Sequence, residues 1–224
     1  MSTTLAPLRP DYQAELALHD FGPMFDQFKV TYGLALEFIQ DTLYDTPTYT
    51  SASSTKLAMF AGSTDLSVSN LVGSTLPDRT GFLVLGLTFK PFLQPRSTAR
   101  AASGSVQTGA TNDLALLTQQ ADFNLKLLDK DYATVPLDCL PAGGGIWAVM
   151  STEGATADPG GVIDWAVSGM PDARNIYTLE EPLFIPPLIQ IQATLNWRQG
   201  AVTLASGNTK LRFTMHGLKV RPVQ

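Results

Sequence analysis

Apolar and polar residues alternate regularly near the C-terminal end of the chain. Residues 189–197 carry an apolar side chain at every second position, and residues 211–217 repeat the pattern within a segment spanning 210–220. Because side chains of a strand point alternately to its two faces, both segments predict strands with one face toward a core. Further strands are predicted from apolar runs between turn residues, at 56–60, 81–92, 122–128, 146–150, 162–167 and 176–185.

The segment 81–92 is the clearest predicted strand of the first half of the chain. Strict alternation divides its side chains into two faces. One face would carry Phe82, Val84, Gly86 and Thr88, and the other Leu83, Leu85, Leu87 and Phe89. Because the second face is uniformly apolar, we predict that it packs into the core.

The segment 24–43 fits two periods at once. Apolar side chains recur at steps of three and four residues, which would align them on one face of a helix. Residues 28–38 also alternate as in a strand, so a helical and an extended conformation both remain open, with propensity slightly favouring the helix. We predict an N-terminal arm over residues 1–48 whose apolar face contacts a neighbouring subunit. The expected contact residues are Phe25, Phe28, Tyr32, Leu36 and Ile39.

The order of the predicted elements indicates an all-β protein. About seven or eight strands without a βαβ rhythm are typical of an antiparallel sandwich or barrel. The count and the length best fit a single jelly-roll sandwich over residues 49–224, with long loops at about 94–112 and 151–161. We therefore predict one all-β domain preceded by a helical or extended arm.

The charge balance gives no general electrostatic reason for binding nucleic acid, because the net charge is −5. Residues 196–224, however, contain no Asp or Glu. Five basic residues fall there: Arg198, Lys210, Arg212, Lys219 and Arg221. They predict either solvated strand faces that pair with acids elsewhere in the fold, or a basic surface facing packaged nucleic acid, lipid headgroups or an acidic neighbour.

Residues with the spacing of a catalytic or metal site are missing from the sequence. The histidines, His19 and His216, lack a metal-binding spacing, and no Gly-x-Ser-x-Gly turn is present. Cys139 is the single cysteine, and we expect it to be a buried thiol between leucines. We therefore predict no enzyme activity, no catalytic residues, no cofactor and no metal. The tryptophans Trp147, Trp165 and Trp197 could form a sugar-stacking platform, although core packing is favoured.

Three segments carry a resemblance to a known family. They read SNLVGSTLPDRTGFLVLGLTF at 69–89, EEPLFIPPLIQIQATLNW at 180–197 and HGLKVRPVQ at 216–224. A Leu-Pro turn before an apolar strand, a Pro-Pro bend before a penultimate strand and a closing Gly-Leu strand together resemble the jelly-roll coat proteins of tailless icosahedral bacteriophages and related viruses. Coat proteins with two stacked rolls are generally longer, so the resemblance implies a single roll here.

The resemblance implies a structural role in a virion, to which the missing catalytic residues also point. It implies a capsid subunit that is made in the host cytoplasm and self-assembles, through loops and the N-terminal arm, into a trimer or pseudo-hexameric capsomer. Other virion proteins are the further expected partners, with possible contact to nucleic acid or an internal membrane and with no small-molecule substrate. The alternative is a carbohydrate- or receptor-binding jelly-roll module of a spike or minor virion protein.

Overall fold

The chain is built mainly from antiparallel β-sheets, which confirms the predicted all-β class. The computed structural model describes residues 22–33, 35–63, 65–92, 96–97, 110–140, 147–150, 163–167, 175–204 and 207–223. Its helices are α1 (Pro23–Tyr32) and α2 (Ala110–Gln119), with short 3₁₀ turns at Val72–Ser74 and Leu137–Cys139. Its strands are β1 (Leu36–Asp45), β2 (Thr48–Tyr49), β3 (Lys56–Met59), β4 (Gly81–Phe92), β5 (Arg96–Ser97), β6 (Ala121–Leu127), β7 (Lys130–Pro136), β8 (Trp147–Met150), β9 (Ile163–Val167), β10 (Tyr177–Ile185), β11 (Ile191–Trp197) and β12 (Thr209–Pro222).

Two larger sheets contain most of the strands. The first sheet has the order β1-β12-β4-β10, with the short β2 also paired to β12. The second sheet has the order β3-β11-β6-β7. A smaller sheet joins β5, β9 and β8. Every strand pair in the described residues is antiparallel, and several neighbouring strands, such as β1 and β12, are distant in sequence.

The two larger sheets bury a shared hydrophobic core between them. Alternate residues of β6, β11 and β12 are buried, as the alternating sequence pattern predicts. Phe123 of the second sheet stacks on Phe213 of the first, with ring centroids 4.4 Å apart. Trp197 is also buried in this core, and its indole Nε1 donates to the carbonyl of Leu117 at 3.2 Å. The two larger sheets therefore form a sandwich around one main core.

A β-bulge overturns the predicted faces of the first half of β4, whereas Leu87 and Phe89 in the second half lie in the core as predicted. His216 pairs with Gly86 but the next residue, Gly217, pairs with Val84, so Leu85 is an extra residue in the ladder. An extra residue reverses the side-chain alternation beyond it. The core side therefore carries Phe82, Val84, Leu87 and Phe89, while Leu83 and Leu85 lie in a second cluster outside the sandwich. The prediction that Leu83 and Leu85 share the core face with Leu87 was wrong for this reason.

The N-terminal segment 24–43 contains a helix and a strand in succession. Helix α1 ends at Tyr32, and Gly33 follows with φ 98°, a conformation that favours glycine and stops the helix. β1 begins three residues later and pairs with β12 along its whole length. Each predicted period thus describes one part of the segment. The interpretation of residues 25–43 as one continuous helical face was wrong, because the helix ends at Tyr32 and a strand follows. The predicted arm, residues 1–48, includes this strand of the first sheet.

The two long loops predicted at 94–112 and 151–161 lie largely outside the described residues. Within the first of them, the structure describes only β5 and the start of α2. The segment 151–161 lies wholly outside. Cys139, predicted to be buried, is exposed at the end of a 3₁₀ turn whose leucines, Leu137 and Leu140, are buried in its place.

Candidate interaction surface

Helix α1 packs on the outer face of the first sheet. Phe25 and Phe28 are both 3% exposed, and their rings contact the ring of Phe184 with centroids 5.1 and 5.4 Å away. Leu83, Leu218 and Val220 form the sheet side of the same cluster. The sequence placed Phe25 and Phe28 in a contact between subunits, whereas the structure uses them within the chain.

The remaining predicted contact residues divide between the two faces of the first sheet. Tyr32 lies at the margin of the α1 cluster and donates its hydroxyl to Asp78 at 3.0 Å. Leu36 is partly buried against the same cluster. Ile39 lies on the opposite face of β1, because it is an odd number of residues away from Leu36. The structure thus brings four of the five residues together and separates Ile39 from them.

The five predicted basic residues do not form one surface. Arg198, which directly follows β11, pairs with Asp122, and Arg221 pairs with Glu37 across the β1–β12 ladder. Lys219 lies on the face of β12 opposite to Lys210 and Arg212, since β12 has a regular alternation along β1. The acids that neutralise two of these residues therefore come from distant segments, as the first of the two sequence interpretations expects.

A cationic patch remains on the outer face of the first sheet, beside the area that α1 covers. It consists of Lys90, Lys210 and Arg212 together with the rings of Tyr44 and Phe92. Arg212 is directly opposite Lys90 in the β12–β4 ladder, and Lys210 is opposite Phe92. The Arg212 guanidinium carbon lies 4.8 Å from the Tyr44 ring centroid and 5.0 Å from that of Phe92. Such distances are those of cation–π contacts.

Lys90 is the member of the patch that sequence reasoning missed. Its ammonium lies 5.2 Å from the centroid of the Phe92 ring, and burial followed by the charge of Arg212 lowers its pKa. The polar alternation of Thr88 and Lys90 inside an apolar strand was a signal for an outward face. The predicted alternation already places Thr88, and with it Lys90, away from the core; Lys90 was missed because it lies in a strand remote from the acid-free segment 196–224.

Arg212 is held in place by a short polar connection to the core. Its Nε donates to Thr46 Oγ1 at 3.0 Å. Thr46 is buried, and so is Asp45, whose two carboxylate oxygens accept the backbone N–H groups of Thr46 at 2.9 Å and Phe60 at 2.5 Å. Burial raises the pKa of Asp45, against the smaller lowering effect of these hydrogen bonds. The Nε side of the guanidinium is therefore held by Thr46, a buried residue between β1 and β2.

His216 lies on the same face of β12 as Arg212, toward α1. Its Nε2 is 2.9 Å from the hydroxyl of Thr88, which is itself buried. Burial lowers the pKa of His216. The imidazole therefore favours its neutral form and adds no charge to the cationic patch near neutral pH.

The exposed edge of β1 is partly closed by residues 69–70. Tyr44 N–H donates to Asn70 Oδ1 at 2.8 Å, and Asn70 Nδ2 donates to the carbonyl of Thr42 at 2.6 Å. The Asn70 N–H donates back to the Tyr44 carbonyl at 3.2 Å. In the described residues, the edge of β1 before Thr42 pairs with no further strand. This half of the edge offers backbone groups to another chain.

A groove of about 530 Å³ opens at the other end of the first sheet, where the start of α1 approaches β10, β6 and β7. Apolar side chains such as Leu179 and Tyr132 line it together with Lys130 and Glu181. Glu180 and Glu181 are exposed, in the stretch of β10 where its register with β4 shifts.

The described residues contain no group of His, Cys, Asp or Glu side chains that could hold a metal ion. No helix in the described part of the chain is long and apolar enough to cross a membrane. The side chains of Trp147 and Trp165 lie outside the described set, and Trp197 is buried and so cannot stack on a sugar.

No protein-family model, curated protein or solved structure matches this chain.

Proposed function

We propose that this chain is a virion structural protein, a capsid subunit with a single jelly-roll domain that self-assembles into trimeric or pseudo-hexameric capsomers. The observation that carries the proposal is the strand order of the two larger sheets. The resemblance of three sequence segments to phage coat proteins adds to it.

The strand order supports a jelly roll because its pairings are nested. The eight main strands, numbered along the chain, are β1, β3, β4, β6, β7, β10, β11 and β12. In this numbering the first pairs with the eighth, the second with the seventh, the third with the sixth and the fourth with the fifth. The first four and the last four of these strands thus pair as one long antiparallel hairpin, which turns between β6 and β7. Pairing of the eighth strand with the third, and of the seventh with the fourth, rolls this hairpin into two sheets.

Jelly rolls of this kind form viral capsid domains, and also lectin and cupin domains, so the topology alone does not select the function. The composition and the surface of the chain also support a structural role. The chain has 16% charged residues, and within the part that the structure describes, half of the β1 edge is unpaired and Lys90 and Arg212 of the cationic patch have no ion-pair partner. Surfaces of low charge with open strand edges are suited to burial against other protein chains.

The test is the assembly state of the full chain. We expect purified protein to form trimers or hexamers in sedimentation velocity, and ring or shell particles in electron micrographs. A protein that remains monomeric as its concentration is raised, and that binds defined glycans on an array, would overturn the proposal. That result would instead support the carbohydrate- or receptor-binding module.

A further inference from the structure

We infer that the cationic patch of one copy of this chain binds the carboxylates of Glu180 and Glu181 of a second copy. The contact is head-to-tail, because it joins two different surfaces of the same protein. It rests on the proposed self-assembly and names the charged pairing that drives it.

Lys90 and Arg212 stand in an electrostatically unfavourable position. Like charges directly opposite each other in a strand pair are destabilising, and these two residues are direct partners in the β12–β4 ladder. Among the described residues, no carboxylate forms an ion pair with either of them. Both are only partly exposed, so solvent screens their repulsion incompletely. An anion bound at this point would remove the repulsion.

Arg212 is already ordered for binding an anion. Thr46 accepts from its Nε, and the rings of Tyr44 and Phe92 flank its guanidinium. A guanidinium has five N–H donors, and the terminal ones can bind both oxygens of a carboxylate. Little side-chain entropy is lost when an arginine fixed in this way receives its partner.

Two acidic residues of β10 are suited to be the partner of the patch. Glu180 and Glu181 are consecutive and exposed, in a stretch of β10 that leaves the ladder with β4. Neither has an ion-pair partner among the described residues. β10 is the strand at the far edge of the first sheet from β1. Glu180 and Glu181 can therefore contact a second copy from that edge without covering the cationic patch of their own chain.

Head-to-tail contacts also have the symmetry that a capsomer needs. A contact between two different surfaces repeats from copy to copy, and it closes into a ring when the rotation allows. A trimer or hexamer built in this way buries one patch and one acidic pair at each contact. In a closed ring, the two carboxylates offset two of the three cations in the patch of every copy.

A polyanion such as nucleic acid is the less favoured occupant. The chain has a net charge of −5, which repels a polyanion at long range. Nucleic-acid affinity is built from many phosphate contacts, whereas the patch has three cations. One of these, Lys210, already acts on the carboxylate of Asp65, whose pKa is lowered first by hydrogen bonds from Ser67 and least by Lys210.

The experiment is a charge-swap cycle on the full chain. The variants are Lys90→Glu, the double variant Glu180→Lys/Glu181→Lys, and the combination of all three substitutions. Each of the first two should weaken self-association at low salt roughly tenfold or more, and the combination should restore it at least in part. Sedimentation velocity measures the association constant, and circular dichroism verifies that each variant is folded.

Matched controls reverse charges elsewhere. Lys56→Glu, at an exposed lysine of β3, and Asp138→Lys, at an exposed acid of a 3₁₀ turn, should leave association unchanged. Because Glu180 and Glu181 are exposed, their variant tests the contact even if Lys90→Glu fails to fold.

Three outcomes would overturn the inference. If the wild-type chain assembles and the Glu180→Lys/Glu181→Lys variant assembles equally well, the pairing is wrong while the proposed capsid role stands. If the wild-type chain is monomeric, both are wrong. If Lys90→Glu abolishes binding of a single-stranded oligonucleotide and leaves self-association intact, the patch is a nucleic-acid site instead.

Discussion

Replacing Phe28 by alanine tests whether α1 belongs to the sandwich of its own chain. Phe28 is 3% exposed and packs edge-on against Phe184 at 5.4 Å between ring centroids. Burying a phenylalanine stabilises by about 1.5–3 kcal/mol, and an aromatic pair of this geometry adds about 0.5–1.5 kcal/mol. We therefore expect Phe28→Ala to lower the free energy of unfolding by about 2–4 kcal/mol, as measured by urea denaturation.

Val30 on the same helix provides the matched control. Its side chain is 85% exposed, so Val30→Ala should change the free energy of unfolding by no more than about 0.5 kcal/mol. Equal stability of the two variants would refute the packing of α1 on its own sheet. If Phe28→Ala also weakened assembly, the original sequence interpretation, in which Phe28 contacts a neighbouring subunit, would be the better one.

The remaining predictions concern the bulge and the buried titratable groups. A Cβ at Gly217 would lie 1.9 Å from the carbonyl oxygen of Leu83, so Gly217→Ala should lower the free energy of unfolding by about 2 kcal/mol or more in urea denaturation; an unchanged value would contradict the close approach. Burial raises the pKa of Asp45 in the folded state above its ordinary value of 3.8. The protonated carboxyl therefore makes its full contribution to stability below pH 3.8, and this contribution is lost as pH rises through the folded-state pKa. Asp45→Asn should remove this loss from the pH dependence of the free energy of unfolding. Burial lowers the pKa of His216 in the folded state below its ordinary value of 6.5. The neutral imidazole therefore contributes to stability above pH 6.5, and this contribution is lost as pH falls through the folded-state pKa. His216→Gln should make the free energy of unfolding less dependent on pH over that range, and an unchanged pH profile would contradict the lowered pKa.

Strands with one face in the core could be predicted from sequence, because their burial follows the two-residue period directly. β11 and β12 show this, since alternate residues of each are buried. In β4 the pattern predicted Leu87 and Phe89 correctly, but the core face before the bulge could not be predicted. A two-residue period cannot show where an extra residue is inserted, and in this strand the bulge depends on pairing with β12, which lies more than a hundred residues later.

The change from helix to strand near Gly33 could not be predicted from the spacing of the apolar residues. Phe25, Phe28 and Tyr32 are separated by helical steps, and Leu36 continues the series by chance although it belongs to β1. Both halves of the segment have apolar residues against the same outer cluster, so one hydrophobic stripe is divided between two kinds of element. The position where the helix stops is decided by the backbone at Gly33, which the hydrophobic pattern does not report.

The cationic patch shows why the composition of a segment differs from that of a surface. Residues 196–224 lack acids, yet Arg198 and Arg221 are neutralised by Asp122 and Glu37 from remote strands. In nested antiparallel pairing, each strand has neighbours from distant parts of the chain, and these decide which charges remain. Arg212 has Lys90 as its partner where Arg221 has an acid. The charges left after internal pairing therefore indicate an interface better than the total number in the segment does.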